Sequence, residues 1–126
     1  MAKILIVDDE RDLAEVLKET LEYEGFEVEI LHRGEEAIQR FNQPSIDAII
    51  VDLRLEGNIS GIDVVRHFVG KPSRPKILVS SGTPRSMIKT IFEKEGIANL
   101  IDAVLEKPGD LNPDFVASSV RKVLNL

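Results

Sequence analysis

Apolar residues along this chain fall into two alternating rhythms. The runs ILIV (4–7), FEVEI (26–30), AIIV (48–51), KILV (76–79) and AVLE (103–106) are short and rich in β-branched residues, and they read as strands. Between them the apolar positions recur at helical spacing. Leu13, Val16, Leu17 and Leu21 predict a first helix, with Asp9 as its cap and Gly25 as its stop. Ala37, Ile38 and Phe41 predict a short second helix ended by Pro44. Val64, Val65, Phe68 and Val69 predict a third, closed by Gly70 and Pro72, and Met87, Ile88, Ile91 and Phe92 a fourth, opened by Thr83 and Pro84. Asn112 and Pro113 open a fifth, which carries Val116, Val120, Val123 and Leu124.

Strand texture orders the sheet. The first, third and fourth strands are uninterrupted apolar runs, as expected where helices cover both faces, whereas FEVEI alternates with Glu27 and Glu29 and the fifth strand is brief and ends in charge. Strands 2 and 5 are therefore expected at the edges. A right-handed βα chain with those edges fits a five-stranded parallel sheet of flavodoxin-like order 2-1-3-4-5, with helices on both faces and ligands outside the carboxyl ends of the central strands.

That order brings chemistry together. If the strands are parallel, Asp8, Asp9 and Glu10 after strand 1 meet Asp52 after strand 3, Ser80 and Ser81 after strand 4, and Lys107 after strand 5. Crowded carboxylates repel and raise one another's pKa, so a fold keeps them where a cation offsets the charge. Oxygen ligands without His or Cys suit a hard cation, Mg²⁺ before zinc. An Asp carboxylate can attack phosphorus, a lysine can offset charge on phosphoryl oxygens, and a hydroxyl can donate a hydrogen bond to one of them. Asp52, on a central strand, is the natural nucleophile. Taken singly, each group has a plainer reading as a cap, a turn residue or a polar loop. Four strand ends carrying the right types in the right order are much harder to explain that way. His32 and His67 sit beside Arg33 and Arg66 and read as ordinary surface histidines.

Composition narrows the partners. The chain has 126 residues, 43% of them hydrophobic, and no cysteine, which fits one domain over 1–126 and excludes disulfides, thiolate metal sites and cysteine nucleophiles. A formal net charge of −6, with no Lys/Arg cluster, argues against direct binding of nucleic acid or an anionic membrane. No apolar stretch approaches the length of a membrane span, and a cytoplasmic protein is expected.

KILIVDDE, AIIVDLRL, ILVSSG and LEKP, in this order, resemble the receiver domain of two-component response regulators over essentially the whole chain. The resemblance implies that Asp8 and Asp9 hold Mg²⁺ together with Asp52 and the backbone carbonyl of Arg54, that Asp52 is the phosphoacceptor, that Lys107 contacts the phosphoryl group, and that the Lys107–Pro108 bond is cis. One extra residue between Asp52 and Gly61 moves the expected hydroxyl to Ser81, with Ser80 as the other register. It further implies a sensor histidine kinase or histidine phosphotransfer protein as phosphodonor and an output protein as partner, and it allows a homodimer. The protein would then be no enzyme beyond self-catalysed phosphorylation and dephosphorylation of Asp52. Four departures stand out: Glu56 where proline is common, a lengthened loop at NISG, a segment from Ser81 to Lys107 several residues longer than usual, and Val104 where many receivers carry the Tyr or Phe of their switch. Two other readings differ in class. A haloacid-dehalogenase-type phosphatase would need an Asp where Arg54 stands, and a receiver-like interaction module would never be phosphorylated.

Overall fold

A computed structural model describes residues 1–41 and 45–126. The elements run β1 (Lys3–Val7), α1 (Arg11–Tyr23), β2 (Glu27–Leu31), α2 (Gly34–Arg40), β3 (Ala48–Asp52), α3 (Gly61–Arg66), β4 (Lys76–Ser81), α4 (Arg85–Glu95), β5 (Ala103–Glu106) and α5 (Pro113–Leu124), with a short 3₁₀ turn over Ala98–Leu100. The five strands form one parallel sheet in the order β2-β1-β3-β4-β5, so the edges lie where the alternation of FEVEI and the short, charged end of AVLE place them.

Strand alternation divides the core in two. Leu5, Val7, Ile49, Val51, Ile77 and Val79 face α2, α3 and α4, where Ala37, Val64, Val65, Phe68, Ile88 and Phe92 close over them. Ile4, Ile6, Ala48, Ile50, Leu78 and Leu105 face α1 and α5, against Ala14, Leu17, Leu21, Val116 and Val120. Both faces of the central strands are thus dry, which is why their sequences are continuous apolar runs. On edge strand β2, Glu29 points out and pairs with Arg40 at 2.9 Å and Lys3 at 3.4 Å.

Helix ends and faces differ from the sequence reading at particular residues. Asp9 does not cap α1: Glu10 is the N-cap residue and makes no side-chain cap bond, while Asp9 Oδ2 accepts the N–H of Glu56 at 3.0 Å. The buried stripe of α1 is Ala14, Leu17 and Leu21, spaced three and four apart, and Val16 lies off it, 54% exposed. Val69 and Met87 are likewise exposed rather than core. The Pro44 stop of α2 lies outside the described residues. Helix α3 starts with a capping box in which Ser60 Oγ accepts from Asp63 N and the Asp63 carboxylate accepts from Ser60 N, then relaxes into turns before Gly70. Gly61 sits where a Cβ would come 2.1 Å from the carbonyl oxygen of Asp52, so the lengthened loop can return to the strand end only through glycine. Asn112 caps α5 as expected, accepting from Phe115 N at 2.9 Å, and Gly25 stops α1 at a φ of +94°.

Neither histidine is an ordinary surface group. His32 Nδ1 lies 2.8 Å from the carbonyl oxygen of Asp8 and the ring is half-buried. His67 packs against Phe41 and Phe68 and meets Lys71 Nζ at 2.8 Å; burial, then the nearby ammonium, lowers its pKa.

Candidate phosphoacceptor and metal site

At the carboxyl edge of the sheet, an open cleft of about 690 Å³ is lined by Asp9, Glu10, Asp52, Arg54, Ser81, Gly82, Thr83, Pro84, Met87 and Lys107. β1, β3, β4 and β5 each deliver a group there because the strands are parallel and their carboxyl ends share one edge. The Lys107–Pro108 peptide bond is cis.

Lys107 is the electrostatic centre. Its Nζ reaches Asp52 Oδ2 at 2.9 Å, Glu10 Oε1 at 3.1 Å and Asp8 Oδ2 at 3.3 Å, so the three ammonium protons meet three carboxylates. Burial alone would lower the lysine pKa; the bond to Asp52 and the charges of Asp52 and Asp8 outweigh it and hold the group above the ordinary lysine range. Asp8, almost fully buried, shows the opposite balance. Burial raises its pKa and the Asp52 charge adds to this, while the Glu10 N–H at 2.9 Å and Lys107 only partly compensate.

Asp52 is buried at the mouth of β3, with Oδ1 accepting the N–H of Arg54 at 3.0 Å and Oδ2 turned toward Lys107. One carboxylate oxygen from each of Asp8, Glu10 and Asp52 lies within 4.8 Å of the other two. This all-oxygen set, with no His or Cys, fits a hard divalent cation. Asp9 lines the cleft, yet its carboxylate is engaged by the Glu56 N–H outside that set. Glu10, which the sequence reading placed among the strand-end acids but gave no role, makes the third member. Its signal was the unbroken DDE run.

The two serines part company. Both belong to β4, where alternation sends Ser80 to the α1–α5 face with Leu78, the face that its register partner Asp52 shares with Ile50, and Ser81 to the opposite face with Val79. Ser81 lines the cleft, and its Oγ accepts the N–H of Thr83 at 3.0 Å. Ser80 is fully buried and its Oγ has no hydrogen-bond partner among the described residues. Removing an unsatisfied buried hydroxyl relieves its desolvation penalty, so Ser80→Ala is expected to hold stability or raise it by about 1 kcal/mol. Ser81→Ala, which strips Thr83 N–H of its acceptor, should lower it by about the same amount. A thermal melt of the two variants reads the difference, and a loss in Ser80→Ala would show that its hydroxyl has a partner.

Residues 4–112 match the family of the response regulator receiver domain. Among similar proteins, the sensory transduction protein RegX3 of Mycobacterium tuberculosis is 33% identical over 123 residues, covering 87% of this chain and 53% of RegX3. The transcriptional regulatory protein CpxR of Escherichia coli is 38% identical over 81 residues, 64% of this chain and 34% of CpxR. The chain thus spans about half the length of RegX3. Among solved structures, the response regulator TrrA of Thermotoga maritima, determined in complex with Mg(2+)-BeF, superposes with a TM-score of 0.79 at 31% identity, over 98% of this chain and 100% of TrrA. A CheY-like receiver domain from Methylobacillus flagellatus superposes at 0.75 and 30% identity, over 99% and 97% of the two chains. No helix among the described residues is long and apolar enough to cross a membrane.

Proposed function

The chain belongs to the response regulator receiver domain family, and from that premise we propose that it accepts a phosphoryl group on Asp52 from a histidine kinase or histidine phosphotransfer protein and passes the change to an output partner. The observation that carries the reading is the contact of Lys107 with Asp52 at 2.9 Å inside a cleft that also holds the acids for a divalent cation. A carboxylate oxygen of Asp52 attacks phosphorus, the bond from phosphorus to the donor's imidazole nitrogen breaks, and the imidazole leaves with the bonding pair and takes up a proton. Lys107 already faces Asp52, so its ammonium can follow the arriving charge onto a phosphoryl oxygen. Asp8, Asp52 and Glu10, with Asp9 once its carboxylate turns inward and the Arg54 backbone carbonyl, are the groups to hold Mg²⁺. That ion, when bound, offsets negative charge on the phosphoryl oxygens. Ser81 on the cleft wall can donate its hydroxyl to the same group.

Acetyl phosphate with Mg²⁺ tests the reading by intact mass. A receiver takes up one labile phosphoryl group and none in EDTA. Many equivalents of acetyl phosphate consumed without lasting modification would indicate a phosphatase, and no modification an interaction module.

The output has to run without an aromatic switch, since Val104 stands where one would be and its carbonyl accepts from the Arg85 guanidinium at 3.0 Å. A hydroxyl drawn toward the phosphoryl group biases the loop before α4 by the worth of one charge-assisted hydrogen bond, about 1.5–3 kcal/mol. Ser81→Ala is therefore expected to accept phosphate at Asp52 yet lose most phosphorylation-dependent NMR shifts in residues 82–92. Ser80→Ala, which removes a hydroxyl that is fully buried and does not line the cleft, should keep them. The reverse outcome would hand the switch to Ser80.

A further inference from the structure

Glu56 brings a backbone donor to the cleft. Its N–H reaches Asp9 Oδ2 at 3.0 Å and so joins the β3–α3 loop to the β1–α1 loop. Asp9 stands apart from the three carboxylates that lie within 4.8 Å of one another, although it follows Asp8 directly and lines the same cleft. The bond accounts for that separation. The loop it grips is pinned at both ends, by Leu53 N to Ser80 O at 3.3 Å, by Gly61 N to Leu53 O at 3.1 Å and by the Ser60 capping box. Between these pins the turn at Gly57, with a φ of +100°, gives the loop a second place to bend.

We propose that the Glu56 amide is a latch on Asp9: it holds the carboxylate on the β3–α3 loop while the cleft has no cation, and a divalent cation draws Asp9 inward and releases the loop. The inference rests on the metal-site reading above and deepens it, since it makes loop release a consequence of cation binding. The coupling is reciprocal. Whatever strengthens the latch weakens cation binding, and removing the latch strengthens it. The donor is a main-chain N–H, so side-chain substitution leaves it in place and only proline removes it.

Two measurements test this. In the wild-type protein, hydrogen exchange of the Glu56 amide followed by NMR should be slowed in EDTA and about threefold to tenfold faster in saturating MgCl₂, the range set by losing one ordinary hydrogen bond. In calorimetric titrations with MgCl₂, Glu56→Pro should bind about threefold to tenfold more tightly than Glu56→Ala, which has lost the same charge but keeps the amide. Equal affinity in the two variants, or Glu56 exchange that Mg²⁺ leaves unchanged, would remove the latch while leaving the metal site intact. If Glu56→Pro fails to fold, the exchange measurement on the wild type decides by itself. A wild-type protein that binds no Mg²⁺ would overturn the metal-site reading and the latch with it.

Discussion

Lys107→Ala is expected to lower the stability of the metal-free protein by about 2–4 kcal/mol, a fall in Tm of roughly 10 °C, and to make the protein respond more strongly to Mg²⁺ than the wild type does. The ammonium is the one cation within reach of Asp8, Glu10 and Asp52 among the described ion pairs, and both aspartates are buried. Deleting it leaves buried carboxylates facing each other without a counter-charge, whereas a divalent cation in the cleft supplies the charge again. The effect has a definite pH dependence. Asp8 has a folded-state pKa raised above its ordinary 3.8, so above that value the folded protein holds more protons than the unfolded chain and stability falls as pH rises toward the raised value. Without Lys107 the Asp8 pKa rises further, and the fall becomes deeper and extends to higher pH. Melts across a pH series should therefore converge below about pH 4 and separate as pH increases. Curves that stay parallel would mean that Lys107 acts on stability through packing and not through charge.

Much of this architecture could be read from the chain because a parallel sheet covered on both faces writes itself as apolar runs. Its strand order followed from the charged alternation of the second strand and the brevity and terminal charge of the fifth. The strand ends were less legible. β3 runs on to Asp52 and β4 to Ser81, polar residues that stay in the ladder because the site is built there. Helix faces blurred where an apolar residue lies just off the buried stripe, as Val16, Val69 and Met87 do. The capping box at α3 was missed since its reciprocal acid is Asp63 rather than the Glu or Gln of the usual pattern.

The site divides in the same way. Asp8, Asp52, Ser81 and Lys107 come together because parallel strands end at one edge, an arrangement that the periodicity favours once a right-handed βα chain is assumed. The partner of Asp9 could not be foreseen, because a backbone N–H at Glu56 leaves no mark in the residue type. Nor could the hydrogen bond of His32 to the Asp8 carbonyl, which depends on how the side chain turns just beyond the end of β2 and not on the strand order. The choice between Ser80 and Ser81 rests in the sequence on loop length. In the structure it rests on exposure: Ser81 lines the cleft, whereas Ser80, in register with Asp52, is fully buried.

Asp52→Asn should abolish phosphoryl uptake. The amide has nearly the shape of the carboxylate and can still accept at its oxygen the Arg54 N–H that Asp52 Oδ1 takes at 3.0 Å, but it is uncharged and a poor nucleophile toward phosphorus. It removes one negative charge beside Asp8 but also the acceptor that Lys107 Nζ meets at 2.9 Å, so a thermal melt of the variant accompanies the labelling and shows that it is folded. The deciding measurement is the intact mass of wild type and Asp52→Asn incubated side by side with acetyl phosphate and Mg²⁺. One added phosphoryl group on the wild type and none on the variant is the result this account predicts; labelling of Asp52→Asn to the wild-type level would contradict it.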